Sequence, residues 1–306
     1  MPFEDLLSVL GEEVNDADEG SLHVPLPGSS QLTSPPAPET FLLYSTPIPS
    51  QNLGFIDPKA TSLDITLADR DFTIYQSPTV LGSTRVGGTT GAVLWQVAPL
   101  FAEWLSSPTN PLFTSGILTP SSTVLELGCG VSPLNALAVA PRISQYVLSD
   151  QNYVQKLVAR NLSANALPAR RPRSEAGSES TRTESIQFRP LDWERHQVTP
   201  SLAAPASSFD AVLATDCVYN YALVEPFVQT CADVCALRRA AADGNGAGEG
   251  PCLCVVAQQL RSDDVFRSWL DAFMTRFRVW RVRGDSLGGL GRDGFAVHVG
   301  ALRDDQ

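Results

Sequence analysis

Positive charge is scarce in this 306-residue chain: 22 Lys and Arg stand against 33 Asp and Glu, a formal charge of −11. General nucleic-acid binders carry a basic face to neutralise phosphates, so the balance argues against that class and suits a basic partner. No apolar run reaches the roughly 18 residues a membrane helix needs. The start, MPFEDLLSVLGEEVNDADEG, lacks the basic lead and long apolar stretch of a signal peptide. The expectation is a soluble, monomeric intracellular protein, cytoplasmic or nuclear, without a membrane partner. Paired zinc-knuckle spacing is missing too. Cys231 and Cys235 stand one helical turn apart, Cys252 and Cys254 alternate in an apolar run, and Cys129 and Cys217 are isolated. All six read as buried, reduced thiols, with no metal. There are no internal repeats.

What is present is enough apolar sequence, 43% of the residues, for one sizeable α/β core. Residues 1–60 are acidic and then Pro/Ser-rich, and read as a partly disordered lead-in with a short helix at Phe3–Leu10. LDITLADRDFTIYQSP alternates apolar and polar residues about a polar turn, which predicts a β-hairpin. In GTTGAVLWQVAPLFAEWL, Val93, Leu94, Val97, Leu100, Phe101, Trp104 and Leu105 fall at helical spacing. From Ser122 the pattern alternates. TVLELG, QYVLSD, SIQFRPLDW, FDAVLATD, PCLCVVAQQ, RVWRVR and FAVHVGAL read as seven strands, with helices after most of them. That order predicts a doubly wound, mostly parallel sheet over residues 61–306. The last two strands lack a helix between them, so one is expected to run antiparallel at the sheet edge. Two charged or glycine-rich loop inserts, 168–186 and 240–251, interrupt the order.

The stretch VLELGCGVSPL is a strand-to-helix glycine turn, where a ligand approaches bare backbone at Gly128, Cys129 and Gly130. A triphosphate loop would need a lysine after the glycines, and none is there. A dinucleotide turn wants a third glycine where this chain has Pro133. Glu126, just before the glycines, would repel a pyrophosphate and suit a cationic donor such as S-adenosylmethionine. Asp150 ends the second strand about 20 residues on, where a carboxylate takes ribose hydroxyls, or else caps the next helix. Trp193 ends the third strand, as a purine platform or a core closure. Ala214 at the fourth strand's end is small enough for a ligand to pass. Asp216 and Tyr219 follow at the sheet edge where reacting groups belong, unless they are a helix cap and a rim aromatic.

Together ELGCG, the strand-end Asp150, LDW, and D-x-x-Y as Asp216-Cys217-Val218-Tyr219 resemble the seven-strand, S-adenosylmethionine-dependent protein-lysine methyltransferases. The upstream G-x-x-x-W ending at Trp95 resembles them as well. Within that family the chain is most similar to the fungal ribosomal members, from about Leu63 to Leu302. The resemblance implies that Trp95 lies beside S-adenosylmethionine. Gly128, Cys129 and Gly130 would present backbone to its amino-acid part, and Asp150 would hold its ribose. Trp193 would meet its adenine, and Ala214 would touch it through backbone. Asp216 and Tyr219 would shape the lysine entry, with Asp216 holding the incoming amine. The implied partner is a basic protein, a ribosomal protein of the large subunit. Two other classes share these features. A small-molecule N- or O-methyltransferase would show a closed pocket over Asp216, and a non-catalytic protein retaining the fold would not bind the donor.

Overall fold

The computed structural model describes residues 2–15, 39–45, 48, 53–166, 185–242 and 250–304. Both expected inserts fall largely outside them. In chain order the elements are α1 (Pro2–Leu7), β1 (Leu10–Val14), α2 (Glu39–Tyr44), β2 (Ser62–Leu67), β3 (Arg70–Tyr75), α3 (Pro78–Leu81), α4 (Val97–Ser106) and α5 (Pro111–Thr114). Then follow β4 (Thr123–Leu127), α6 (Leu134–Val139), β5 (Gln145–Ser149), α7 (Gln155–Ala164), β6 (Ile186–Phe188) and β7 (Ala211–Thr215). The chain closes with α8 (Tyr221–Ala242), β8 (Leu253–Gln259), α9 (Asp263–Arg276), β9 (Phe277–Val282) and β10 (Phe295–Leu302).

The main sheet runs β1-β9-β10-β8-β7-β4-β5-β6, and β2-β3 stand apart as a hairpin. β6, β5, β4, β7 and β8 are parallel neighbours. All five residues of β4 and β5 and all seven of β8 are buried. Strands covered on both faces read as continuous apolar runs, which is why they were legible. Successive side chains alternate between two cores. Val124, Ala211, Leu213 and Val255 face the layer that holds α4 and α6. Leu125, Leu127, Val212, Cys254 and Val256 face the layer that holds α8 and α9.

The structure differs from expectation in four places. The helix expected to take in Val93 and Leu94 begins only at Val97. The antiparallel strand is β10, and it is interior: it pairs with β8 on one side and β9 on the other. An eighth strand, β1, covers β9, with Leu10 opposite Val282 and Val14 opposite Val279. The sheet therefore reaches back across residue 60, and the helix expected at Phe3–Leu10 ends at Leu7. The third strand keeps only Ile186–Phe188, although backbone bonds to the β5 side continue past it, from Arg189 N to Leu148 O and from Leu191 N to Asp150 O, both at 2.9 Å; Pro190, between them on an edge strand, loses no bond to β5.

The hairpin turns at Ala68 and Asp69, both left-handed at φ 47° and 60°, as a two-residue hairpin turn requires. β3 is extended by two asparagine side chains instead of another strand. Just past the end of α7, Asn165 accepts from Thr73 N (2.9 Å) and donates to Thr73 O (2.8 Å). One turn earlier, Asn161 does the same for Tyr75 at 2.8 and 2.9 Å. Asn161 also donates to Val131 O at 2.7 Å, so one buried amide ties the hairpin to the glycine turn.

Candidate functional site

The sheet order reverses between β4 and β7: one chain path runs outward through β5 and β6, the other through β8. Ligands in open α/β sheets bind beyond the carboxyl ends of the strands at such a point. A cavity of about 390 Å³ opens there. Its lining comes from the ends of β4 (Gly128–Gly130), β5 (Asp150, Gln151), β7 (Thr215–Cys217, Tyr219) and β8 (Arg261), and from Leu191–Glu194 beyond β6. Gly87, Gly88, Thr90, Gly91, Trp95, Leu53 and Phe55 close it from above. Nine of the ten expected site residues touch this cavity. Ala214 does not: it is fully buried inside β7, and Thr215 takes its place on the wall.

Gly128 and Gly130 are left-handed, at φ 67° and 56°. A Cβ on Gly128 would come within 3.1 Å of the Trp193 ring and 2.7 Å of Cys217 Sγ. One on Gly130 would come within 3.0 Å of Gly91 O. Bare backbone here lets Trp193 lie against one glycine and the upstream segment against the other. Asp150 Oδ2 accepts from Gly130 N at 2.8 Å and Oδ1 from Gln151 N at 2.6 Å. Burial outweighs these bonds and pushes the Asp150 carboxyl up to about 6. Trp193 packs on Phe227, centroids 5.2 Å apart, and its buried Nε1 has no hydrogen-bond partner among the described residues.

Glu126 is placed differently from its expected role beside a cationic ligand. Its carboxylate turns down into the protein, accepting from Tyr146 Oη at 2.7 Å and from Asn135 Nδ2 at 2.8 Å. Burial pushes it up to about 7. It is a strut under the glycine turn.

Asp216 also departs from expectation. It is left-handed at φ 59°, and its N–H donates to Ala257 O at 2.7 Å. Both carboxylate oxygens accept from one guanidinium, Arg261 Nη1 at 2.7 Å and Nη2 at 2.6 Å. The side chain of Asp216 is 3% exposed and that of Arg261 20%. A free carboxylate waiting for an amine is thus not what the cavity presents. Arg261, which sequence reading missed, also donates to Leu53 O at 3.1 Å and lies 5.4 Å from the Trp95 ring centre. Its position just past a strand end was readable; its partner, 45 residues away, was not.

The upper wall is laced together. Trp95 Nε1 donates to Thr90 O at 2.9 Å, and its ring packs on Phe55 at 4.4 Å. Thr90 Oγ1 and Tyr219 Oη hydrogen-bond at 3.1 Å. Arg85 donates to Gln151 Oε1 at 3.0 Å, and Gln151 donates to Gly87 O at 2.7 Å. Burial raises the Tyr219 phenol, so it stays neutral.

These features fit a nucleoside-type donor. The two glycines keep backbone bare, a buried carboxylate sits 20 residues past them, and an indole lies beside the cradle. Among the described residues no helix is long and apolar enough to cross a membrane.

Comparison with known proteins agrees. A Schizosaccharomyces pombe protein named diaminohydroxyphosphoribosylamino-pyrimidine deaminase is 27% identical over 238 residues, 77% of this chain. The chain spans only half of that relative's length. The ribosomal lysine N-methyltransferase 5 of Zygosaccharomyces rouxii is 27% identical, covering 68% of this chain and 72% of the relative. That of Candida glabrata is 25% identical, covering 74% and 84%. A family model described as lysine methyltransferase matches residues 80–241, more than half of the chain and every predicted site residue. The chain belongs to the lysine methyltransferase family, whose methyl donor is S-adenosylmethionine.

Proposed function

We propose that this protein methylates a lysine side chain of a basic protein, a ribosomal protein of the large subunit. The observation that carries the reading is one cavity at the sheet's switch point. It joins the glycine cradle and Asp150 on one side to Asp216 and Tyr219 on the other. The relatives named as ribosomal lysine N-methyltransferases support the target class.

S-adenosylmethionine, when bound, supplies a methyl group made electrophilic by the adjoining sulfonium. Gly128, Cys129 and Gly130 would face its amino-acid part, Asp150 its ribose hydroxyls, and Trp193 its adenine. An amine attacks only when neutral, and the carboxylate on the lysine side, Asp216, is held by Arg261 rather than free to act as a strong base. The chain's contribution there is positioning and exclusion of water. Phe55, Trp95 and Leu53 form an apolar cover over the entry. Tyr219, held neutral and bonded to Thr90, offers a hydroxyl oxygen that can accept an amine N–H. Asp216 holds Arg261 against the wall and so keeps the entry open.

Asp216→Ala releases that guanidinium. Transfer is expected to fall at least a hundredfold, while calorimetric donor affinity stays within threefold of wild type. Equal loss of both would overturn the division between donor and lysine sides.

A further inference from the structure

Resting on the lysine-transferase reading, we propose that Arg261 is a positioning residue for the incoming amine: it pairs with Asp216 so that the lysine enters beside an ion pair of no net charge. The fork is bidentate, at 2.7 and 2.6 Å, and the guanidinium is the more exposed partner. An amine arriving in the cavity meets Arg261 before it meets Asp216.

The chemistry follows from charge. A lone buried carboxylate beside the channel would stabilise the ammonium form of lysine, the form that cannot attack. A guanidinium stays charged throughout the working range, so it cancels that field at every pH. Arg261 is itself fixed from several sides. Nη2 donates to Gln259 Oε1 at 3.1 Å, and that oxygen also accepts from Gln96 Nε2 at 2.8 Å. Nε reaches Leu53 O, so the ion pair and the apolar cover are one unit. Gly54, next to Leu53, is left-handed at φ 90°, a backbone that favours glycine, and it lies against the Gln259 and Arg261 side chains.

Other charged or titratable groups face this region. Tyr44 on α2 and Asp263 at the start of α9 stand behind Arg261. Asp150, Tyr153, Asp192, Glu194, Cys217 and Tyr219 share the cavity wall, and Glu126 lies beneath it. Asp150 changes charge near pH 6, which calls for saturating donor above that pH.

The test is the pH profile of kcat, measured from pH 6.5 to 10. It uses methyl-labelled S-adenosylmethionine at saturation and, as acceptor, the total protein of large ribosomal subunits from cells that lack this enzyme. Wild-type incorporation checks the transferase reading by itself; the displacement between variants checks Arg261. In Arg261→Gln the uncompensated Asp216 is expected to move the rising limb up by at least one pH unit. The rate then falls about tenfold at pH 7 and recovers at pH 9–10. The double variant Arg261→Gln with Asp216→Asn removes both charges, and its limb is expected to return toward the wild-type position. A parallel drop in rate at every pH in Arg261→Gln, or a double variant displaced as far as the single, would overturn the proposal and leave Arg261 a packing residue. Should the single variant not fold, Asp216→Asn decides in its place: the uncompensated Arg261 is expected to move the limb down by a measurable fraction of a pH unit, and an unmoved limb refutes the pairing.

Discussion

At the residue scale the site separates carboxylates by environment. Asp150, Glu126 and Asp216 all sit at strand ends, yet only Asp150 faces the cavity without a side-chain partner taking both oxygens. A carboxylate that accepts ribose hydroxyls does so when ionised. With burial pushing Asp150 up to about 6, donor affinity is expected to fall as pH drops below 6, by up to about tenfold per pH unit. Asp150→Asn should bind weakly and lose this dependence; calorimetry at pH 5, 6 and 7.5 checks both. Glu126 bears on stability instead. Its carboxyl lies above the unfolded-chain value, so folding is most favoured below about pH 4, and that margin is lost as pH rises to about 7. Glu126→Gln should remove a slope worth on the order of 3 kcal/mol. Denaturant unfolding at pH 5 and pH 8 measures it, and an unchanged slope would contradict the assignment. Of these roles, sequence showed position but not partner. Glu126 and Asp216 were legible as strand-end acids, while Tyr146, Asn135 and Arg261, which decide what they do, come from other elements.

At the element scale the seven expected strands are all present, because buried parallel strands leave apolar runs that a sequence shows directly. β1 was missed because LGEEV has little apolar signal and its place is set by β9, more than 260 residues on. The inward position of β10 was invisible for a related reason: local pattern gives direction and length, not neighbours. The hairpin was legible, but its support was not. Asn161 and Asn165 look like ordinary polar helix residues until α7 is laid along β3. Asn161→Ala leaves Tyr75 N, Tyr75 O and Val131 O without their partner. The expected cost is roughly 2–3 kcal/mol. It reads as a lowered unfolding midpoint, and because Val131 adjoins the glycine cradle, weaker donor binding should accompany it. An unchanged midpoint would show that water replaces the amide.

At the scale of the whole molecule, the parts converge on the switch point between β4 and β7. One arm of the sheet brings Asp150 and Trp193, the other brings Asp216 and Arg261, and the segment from Gly87 to Trp95 covers both. The charge of −11 suits the basic protein target proposed above. The central claim is tested most directly by incubating the purified protein with methyl-labelled S-adenosylmethionine and large ribosomal subunits from cells that lack it. Label is expected in one basic protein, recovered as methyl-lysine after hydrolysis, and absent when subunits come from cells that contain the enzyme. Label in no protein, or only in small molecules, would contradict the account.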